Sequence, residues 1–207
     1  MPKLDDLEFE TSFNFLSIAQ FGPRKNLPNT VKWFVEEFHE EDVGLILKTN
    51  ITKNSVMDRE MITKDLKRFI SEFPNRKCKV YLIHGDMTDE EIHALYKHPQ
   101  IDAFLALPHG EGFGLPIFEA AYSGMPVVAT GPREQSAKEK MRLCYEVLRK
   151  EHIETRITRL NEAKAYAQEL HERFTQEGQY KKFVDIFNGE SEKFDVQDWL
   201  NELEVTE

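Results

Sequence analysis

The sequence predicts an α/β fold: a Rossmann-like parallel sheet of about five strands flanked by helices, followed by a helical C-terminal tail. Three observations carry this. Between residues 13 and 130 short apolar runs alternate with helical patterns, as βα units do. A glycine-rich turn at residues 110–114 joins one such apolar run to a helical segment. Beyond Gly131-Pro132 the strands vanish and the chain becomes rich in Glu, Lys, Ala and Leu.

The elements follow in order. Residues 13–20 read as the first strand, and 27 to about 40 as a helix with Asn26 as N-cap and Pro28 in its first turn. Trp33, Phe34 and Phe38 share helical spacing and belong to the core. Residues 43–48 form the second strand, 57–73 a helix stopped by Pro74, and 79–83 the third strand. Thr88-Asp89-Glu90-Glu91 matches a capping box, in which Thr and Glu side chains each satisfy the other's backbone N–H, and it opens a helix reaching about Tyr96. A strand at 103–107, a helix at 115–123 and a strand at 126–129 complete the sheet. In the tail, Met141, Cys144, Tyr145 and Leu148 mark one apolar helical stripe and Leu160, Ala163, Ala167, Leu170 and Phe174 another. After the break at Asn188-Gly189 a last acidic helix is expected at 196–203, with Trp199 and Leu203 on it. The division expected is 1–131 for the sheet domain and 132–207 for a helical extension packing on the sheet.

Composition narrows the function classes. With 207 residues and 40% hydrophobic content the chain can bury one sizeable core, and 27 basic against 37 acidic residues leave a net charge of −10. Nucleic acid and anionic membrane surfaces are disfavoured partners, because affinity for them needs clustered cations. No apolar run is long enough to span a bilayer and the first residues lack a signal-peptide pattern, so a cytoplasmic protein is expected. Cys78 and Cys144 have no metal-ligand spacing and are expected as reduced structural thiols. His39, His93, His98, His152 and His171 show no zinc-helix pairing, and no metal is expected.

The chemistry concentrates at residues 107–119, a strand-to-helix turn at the carboxyl end of the sheet, where open α/β folds bind ligands. Glycines there let the backbone approach a ligand, and the following helix offers unpaired N–H groups to an anion. The glycines at 110, 112 and 114 miss the dinucleotide fingerprint, and no P-loop motif occurs, so neither NAD nor P-loop ATP chemistry is expected. Glu111 in the loop and Glu119 about one turn into the helix put two carboxylates near one mouth. Carboxylates suit sugar hydroxyls, although helix first turns also carry acids for dipole reasons alone. Gly22-Pro23-Arg24-Lys25-Asn26 occupies another strand-to-helix loop on the same sheet edge; its two cations suit a diphosphate or simply a solvated turn. His84 and His109 also lie at this edge.

The run from His109 to Ala121, followed by Gly124-Met125-Pro126-Val127-Val128-Ala129, resembles the Glu-x7-Glu signature of the retaining GT-B glycosyltransferases, glycosyltransferase group 1 or family four. The resemblance covers residues 13–130 and continues more weakly into the tail. It implies the donor-binding half of a metal-independent transferase without a cofactor, its substrate a UDP-, GDP- or ADP-sugar. By this resemblance Glu119 holds the ribose. Glu111 with Gly112, Phe113 and Gly114 faces sugar and phosphates, Leu115 and His109 flank them, and Lys25 with Arg24 neutralises the diphosphate. Gly85 and Asp86 lie in the loop expected against the base. The sequence departs from the pattern in three ways: the N-terminal acceptor domain is missing, Gln20 stands where many members have Arg, and the βα passage expected after residue 130 is absent. The half alone is expected to be weakly active or inactive. Two further readings stay open, a non-catalytic nucleotide-binding or scaffolding module and an epimerase- or phosphorylase-like enzyme half.

Overall fold

The computed structural model describes residues 7–52, 54–129, 131, 133–175 and 177. The expected helix at 196–203, with Trp199 and Leu203, and the break at Asn188-Gly189 lie outside the described residues. The chain divides into two compact units, Met1–Gln168 and Glu169–Glu207. The architecture below is that of the first.

Five parallel strands form one sheet, as the alternating pattern predicts, and their order is β3-β2-β1-β4-β5. The strands are β1 (Phe13–Ile18), β2 (Val43–Lys48), β3 (Lys79–Ile83), β4 (Ala103–Ala106) and β5 (Val127–Ala129). The helices are α1 (Leu27–Glu37), α2 (Val56–Ser71), α3 (Asp89–Tyr96), α4 (Leu115–Tyr122), α5 (Glu134–Leu148) and α6 (Ile153–Phe174), whose last residues belong to the second unit. No helix among the described residues is long and apolar enough to cross a membrane.

Strand period two sorts the core into two layers. Phe13, Phe15, Leu45, Leu47, Ala103 and Leu105 pack with Phe34 and Phe38, Ile62 and Leu66 of α2, and Met141 and Tyr145 of α5. Leu16, Ile46 and Phe104 pack on the opposite face with Leu95 and Tyr96 of α3 and Ala120 of α4. Apolar residues on both faces make these strands continuous hydrophobic runs, which is why β1 and β2 stand out in the sequence. Trp33, Phe34 and Phe38 are buried as expected. On α5, Met141, Tyr145 and Leu148 are buried and Cys144 partly so, matching the predicted stripe. Cys78 and Cys144 are free, and burial pushes their thiols up to about 11 and about 12.

Close approach of backbone and side chains fixes the start of the sheet. A Cβ at Gly44 would stand 2.0 Å from Asn14 Oδ1 and 2.5 Å from Thr11 Oγ1, so no side chain fits where β2 passes this polar pair. Asp102, just before β4, accepts the Asn14 backbone N–H at 2.9 Å and an Arg156 Nη2–H at 2.9 Å, tying α6 to the sheet's amino edge. Burial outweighs both partners and holds its carboxyl above the ordinary range. A raised folded pKa means that stability linked to this proton is fully present below the unfolded value, about 3.9, and is lost as pH rises through the folded value. Asp102→Asn removes that dependence. The stability advantage of wild type over the variant is therefore expected to be larger at pH 3 than at pH 7, measured by urea denaturation at both; equal differences would contradict it.

Several elements end differently from the sequence reading. β1 stops at Ile18 rather than residue 20, although Ala19 N–H still reaches the Lys48 carbonyl at 3.2 Å and Phe21 N–H the Asn50 carbonyl at 2.7 Å. Asn26 is the N-cap residue of α1, as predicted, but its side chain caps no helix N–H: it sits in the left-handed region at φ 56° and its amide serves another loop, as described below. The Thr88–Glu91 capping box forms as predicted.

Candidate functional site

The strand order reverses around β1 and β4, so the loops that follow these two strands diverge at a topological switch point. One loop contains a single 3₁₀ turn, Pro23–Lys25, and the other is the glycine-rich segment before α4. Four sets of contacts fasten them together. Asn26 Nδ2–H donates to the Leu107 carbonyl at 2.9 Å, with the Asn26 side chain buried. The His109 N–H donates to the Arg24 carbonyl at 2.9 Å. Arg24 Nη1–H donates to the Gly110 carbonyl at 3.2 Å and lies 3.5 Å from Glu111 Oε2. The Lys25 ammonium pairs with Glu111 Oε1. Asparagine tolerates the left-handed conformation that turns the chain into α1, which explains how residue 26 can hold both jobs.

Lys25 also lines a cleft of about 330 Å³ with Ile18, Gln20, Lys48, Thr49, Asp86 and Met87 among its walls. The far wall is the loop after β3. Gly85 adopts φ 123°, a conformation side chains rarely take, and its carbonyl accepts a hydrogen bond from Lys48 Nζ at 2.5 Å. Burial lowers the Lys48 pKa, with Asp86 and Glu91 acting in the opposite direction. Asp86 is exposed and accepts from the Asn54 amide. Thr49 is only 2% exposed, and its hydroxyl has no hydrogen-bond partner among the described residues.

His84 turns inward and not into the cleft. Its Nε2 lies 3.0 Å from Asp58 Oδ1, and both side chains are almost fully buried. Asp58 also accepts the backbone N–H of Ile51 and Thr52, each at 2.9 Å, so this pair locks the loops after β2 and β3 to one another.

The glycine-rich loop is open. A Cβ at Gly110 or Gly112 would meet no atom within 4 Å, and neither residue has a positive φ, so neither packing nor backbone conformation calls for glycine. Gly114 caps α4 at φ 73° and is followed by the helix-compatible Pro116. Neither α1 nor α4 has an acidic residue in its first turn or a side-chain cap, so each helix N-terminus keeps its partial positive charge unanswered. Phe113 and Leu115 are exposed, at 72% and 54%, and His109 is exposed as well.

The two carboxylates face different neighbours in adjoining hollows. Glu111 faces the cations, whereas Glu119 lines a second hollow of about 440 Å³ with Asp89, His93, Tyr96, Leu115 and Phe118. Ile92 lines both hollows. The reason is helical geometry: Glu119 follows Leu115 by four residues, so both stand on the α4 face turned toward α3, where Tyr96 O–H donates to Glu119 Oε2 at 3.0 Å. Burial and the Glu119 carboxylate together hold the Tyr96 phenol far above its ordinary range, so it stays a donor. Sequence reasoning missed Asn26 as a loop fastener, Tyr96 as the partner of Glu119, and Lys48. Only Lys48 left a signal, a cation at the carboxyl end of an otherwise apolar strand.

An open parallel sheet with anion-receptive loops at its switch point defines the class of α/β proteins that bind ligands at the carboxyl edge. Within that class the chain belongs to the family described as glycosyl transferases group 1, whose profile matches residues 5–181. Its sheet and helices are one half of the GT-B fold. The structure is similar to a glycosyltransferase from Rickettsia africae, with 16% identity and a TM-score of 0.61 over 89% of this chain and 49% of that one. It is similar to the C-terminal domain of a glycosyl transferase group 1 family protein, LpcC, from Francisella tularensis, with 15% identity and a TM-score of 0.60 over 76% of this chain and 85% of that one. An E. coli structure described as trehalose-6-phosphate bound with UDP-2-fluoro glucose has 12% identity and a TM-score of 0.56 over 77% of this chain. The present chain spans only 41% of that E. coli chain. No curated protein matched by sequence.

Proposed function

We propose that this chain is the donor-binding half of a retaining, metal-independent glycosyltransferase whose substrate is a UDP-, GDP- or ADP-sugar. Residues 1–131 form the donor domain and 132–207 its helical extension; the acceptor domain is supplied from outside this sequence, and the site of action is cytoplasmic. The observation that carries the reading is the meeting of Lys25 and Arg24 with an open glycine loop and the uncapped N-terminus of α4 at the switch point.

In this reading the diphosphate lies against Lys25, Arg24 and the backbone of Gly112, Phe113 and Gly114, with Leu115 and His109 at its flanks. Fixed cations and backbone N–H groups then stabilise the charge that develops on the leaving diphosphate, the task a divalent ion would otherwise perform. Glu111 is the carboxylate available to the donor sugar, and Glu119, held by Tyr96, is the acceptor for ribose hydroxyls. Gly85 and Asp86 form the wall for the base, fixed from behind by Lys48 and by the Asp58–His84 pair. No cofactor takes part.

Calorimetric titration with UDP, GDP, ADP and their sugars tests this. One nucleotide series should bind, and Glu119→Ala should weaken it about tenfold or more, the loss of a charge-assisted hydrogen bond of roughly 1.5–3 kcal/mol. Absence of binding for every nucleotide at millimolar concentration would overturn the donor-site reading and favour the scaffolding one.

A further inference from the structure

Glu111 engages both cations that the proposed donor site offers to phosphate. Its Oε1 pairs with Lys25 and its Oε2 stands 3.5 Å from Arg24 Nη1. The pair is well shielded: the side chains of Lys25 and Glu111 are 16% and 21% exposed, against 63% for Arg24. A diphosphate placed on these cations would meet the carboxylate at close range, and the repulsion between the two anions opposes its binding.

We propose that Glu111 is an internal stand-in for the ligand's phosphate, a carboxylate that holds the Arg24-Lys25 loop closed on the glycine-rich loop and must be displaced by an incoming diphosphate. This rests on the donor-site reading and adds a regulatory step to it. The loop geometry supports displacement without collapse. The two loops remain fastened by Asn26 to the Leu107 carbonyl and by the His109 N–H to the Arg24 carbonyl, neither of which involves the Glu111 side chain. A Cβ at Gly110 or Gly112, on either side of Glu111, would meet no described atom within 4 Å, which leaves the backbone beside the carboxylate room to move. Once released it lies beside the bound phosphates and next to the sugar they carry, which is where the proposed function needs a carboxylate. The same side chain then lowers affinity for the free diphosphate and selects against tight retention of the leaving group.

The inference makes an unusual expectation for a residue inside a binding site: removing it strengthens anion binding. Inorganic pyrophosphate and UDP are titrated into wild type, Glu111→Gln, Glu111→Ala and Lys25→Gln, with thermal melts confirming that each variant is folded. Both Glu111 variants are expected to bind pyrophosphate on the order of tenfold more tightly, since the like-charge competitor is gone, while Lys25→Gln binds more weakly. If Lys25→Gln weakens binding but neither Glu111 variant strengthens it, the stand-in idea is overturned and the anion site survives. If no protein in the set binds pyrophosphate, or Lys25→Gln leaves binding unchanged, the donor-site reading itself is overturned.

Discussion

Truncating Phe38 to alanine is expected to lower stability by about 3–5 kcal/mol, the range for deleting a fully buried aromatic ring. Phe38 ends α1 with none of its surface exposed, and its ring stands 5.7 Å from Phe15 of β1, 5.3 Å from Phe34 and 5.5 Å from Tyr145 of α5. The Arg142 guanidinium lies over the same ring at 4.8 Å while its nitrogens hold Glu37 and Glu41. One side chain thus joins β1 to both α1 and α5. Collapse around the vacancy is resisted because the sheet backbone cannot move inward and α5 is held by Arg142. Urea denaturation should show a lower midpoint with an unchanged slope; a loss under about 1 kcal/mol would mean the layer repacks and is not rigid in the way its ring contacts imply.

The centre of the sheet was legible because β1 and β2 are buried on both faces. A continuous apolar run such as residues 43–48 is hard to place anywhere but a parallel sheet, and its observed bounds match, as do those of the half-buried edge strand at 79–83. The capping box was equally legible, since local backbone chemistry dictates it. What sequence could not disclose is which loops meet. The contact between Lys25 and Glu111 spans 86 residues and exists because β4 pairs with the side of β1 that β2 leaves free. Glu119 and Tyr96 meet because α3 and α4 share one face of the sheet, and neither residue has a local pattern that announces the other. Asn26 stands at the N-cap its residue type favours, but its side chain makes a tertiary bond to the Leu107 carbonyl in place of the capping bond.

Replacing Lys25 with methionine is expected to have the largest effect on ligand binding, roughly 100-fold or more in affinity for the nucleotide-sugar. The direct loss is a charge-assisted contact worth about 1.5–3 kcal/mol. A second loss adds to it: without Lys25, Glu111 retains only the more exposed Arg24 as partner, and its charge faces the incoming phosphates. Truncating one member of a shielded ion pair commonly costs about 2–5 kcal/mol for this reason. The two losses separate in a double-mutant cycle. Glu111→Gln in the Lys25→Met background removes the stranded carboxylate and should raise affinity by more than it does in wild type, giving a coupling energy in the range of roughly 0.5–3 kcal/mol seen for residues in contact. Strictly additive effects in that cycle would show that the two side chains act independently on the ligand, and the pairing that joins the two loops would then have no bearing on donor binding.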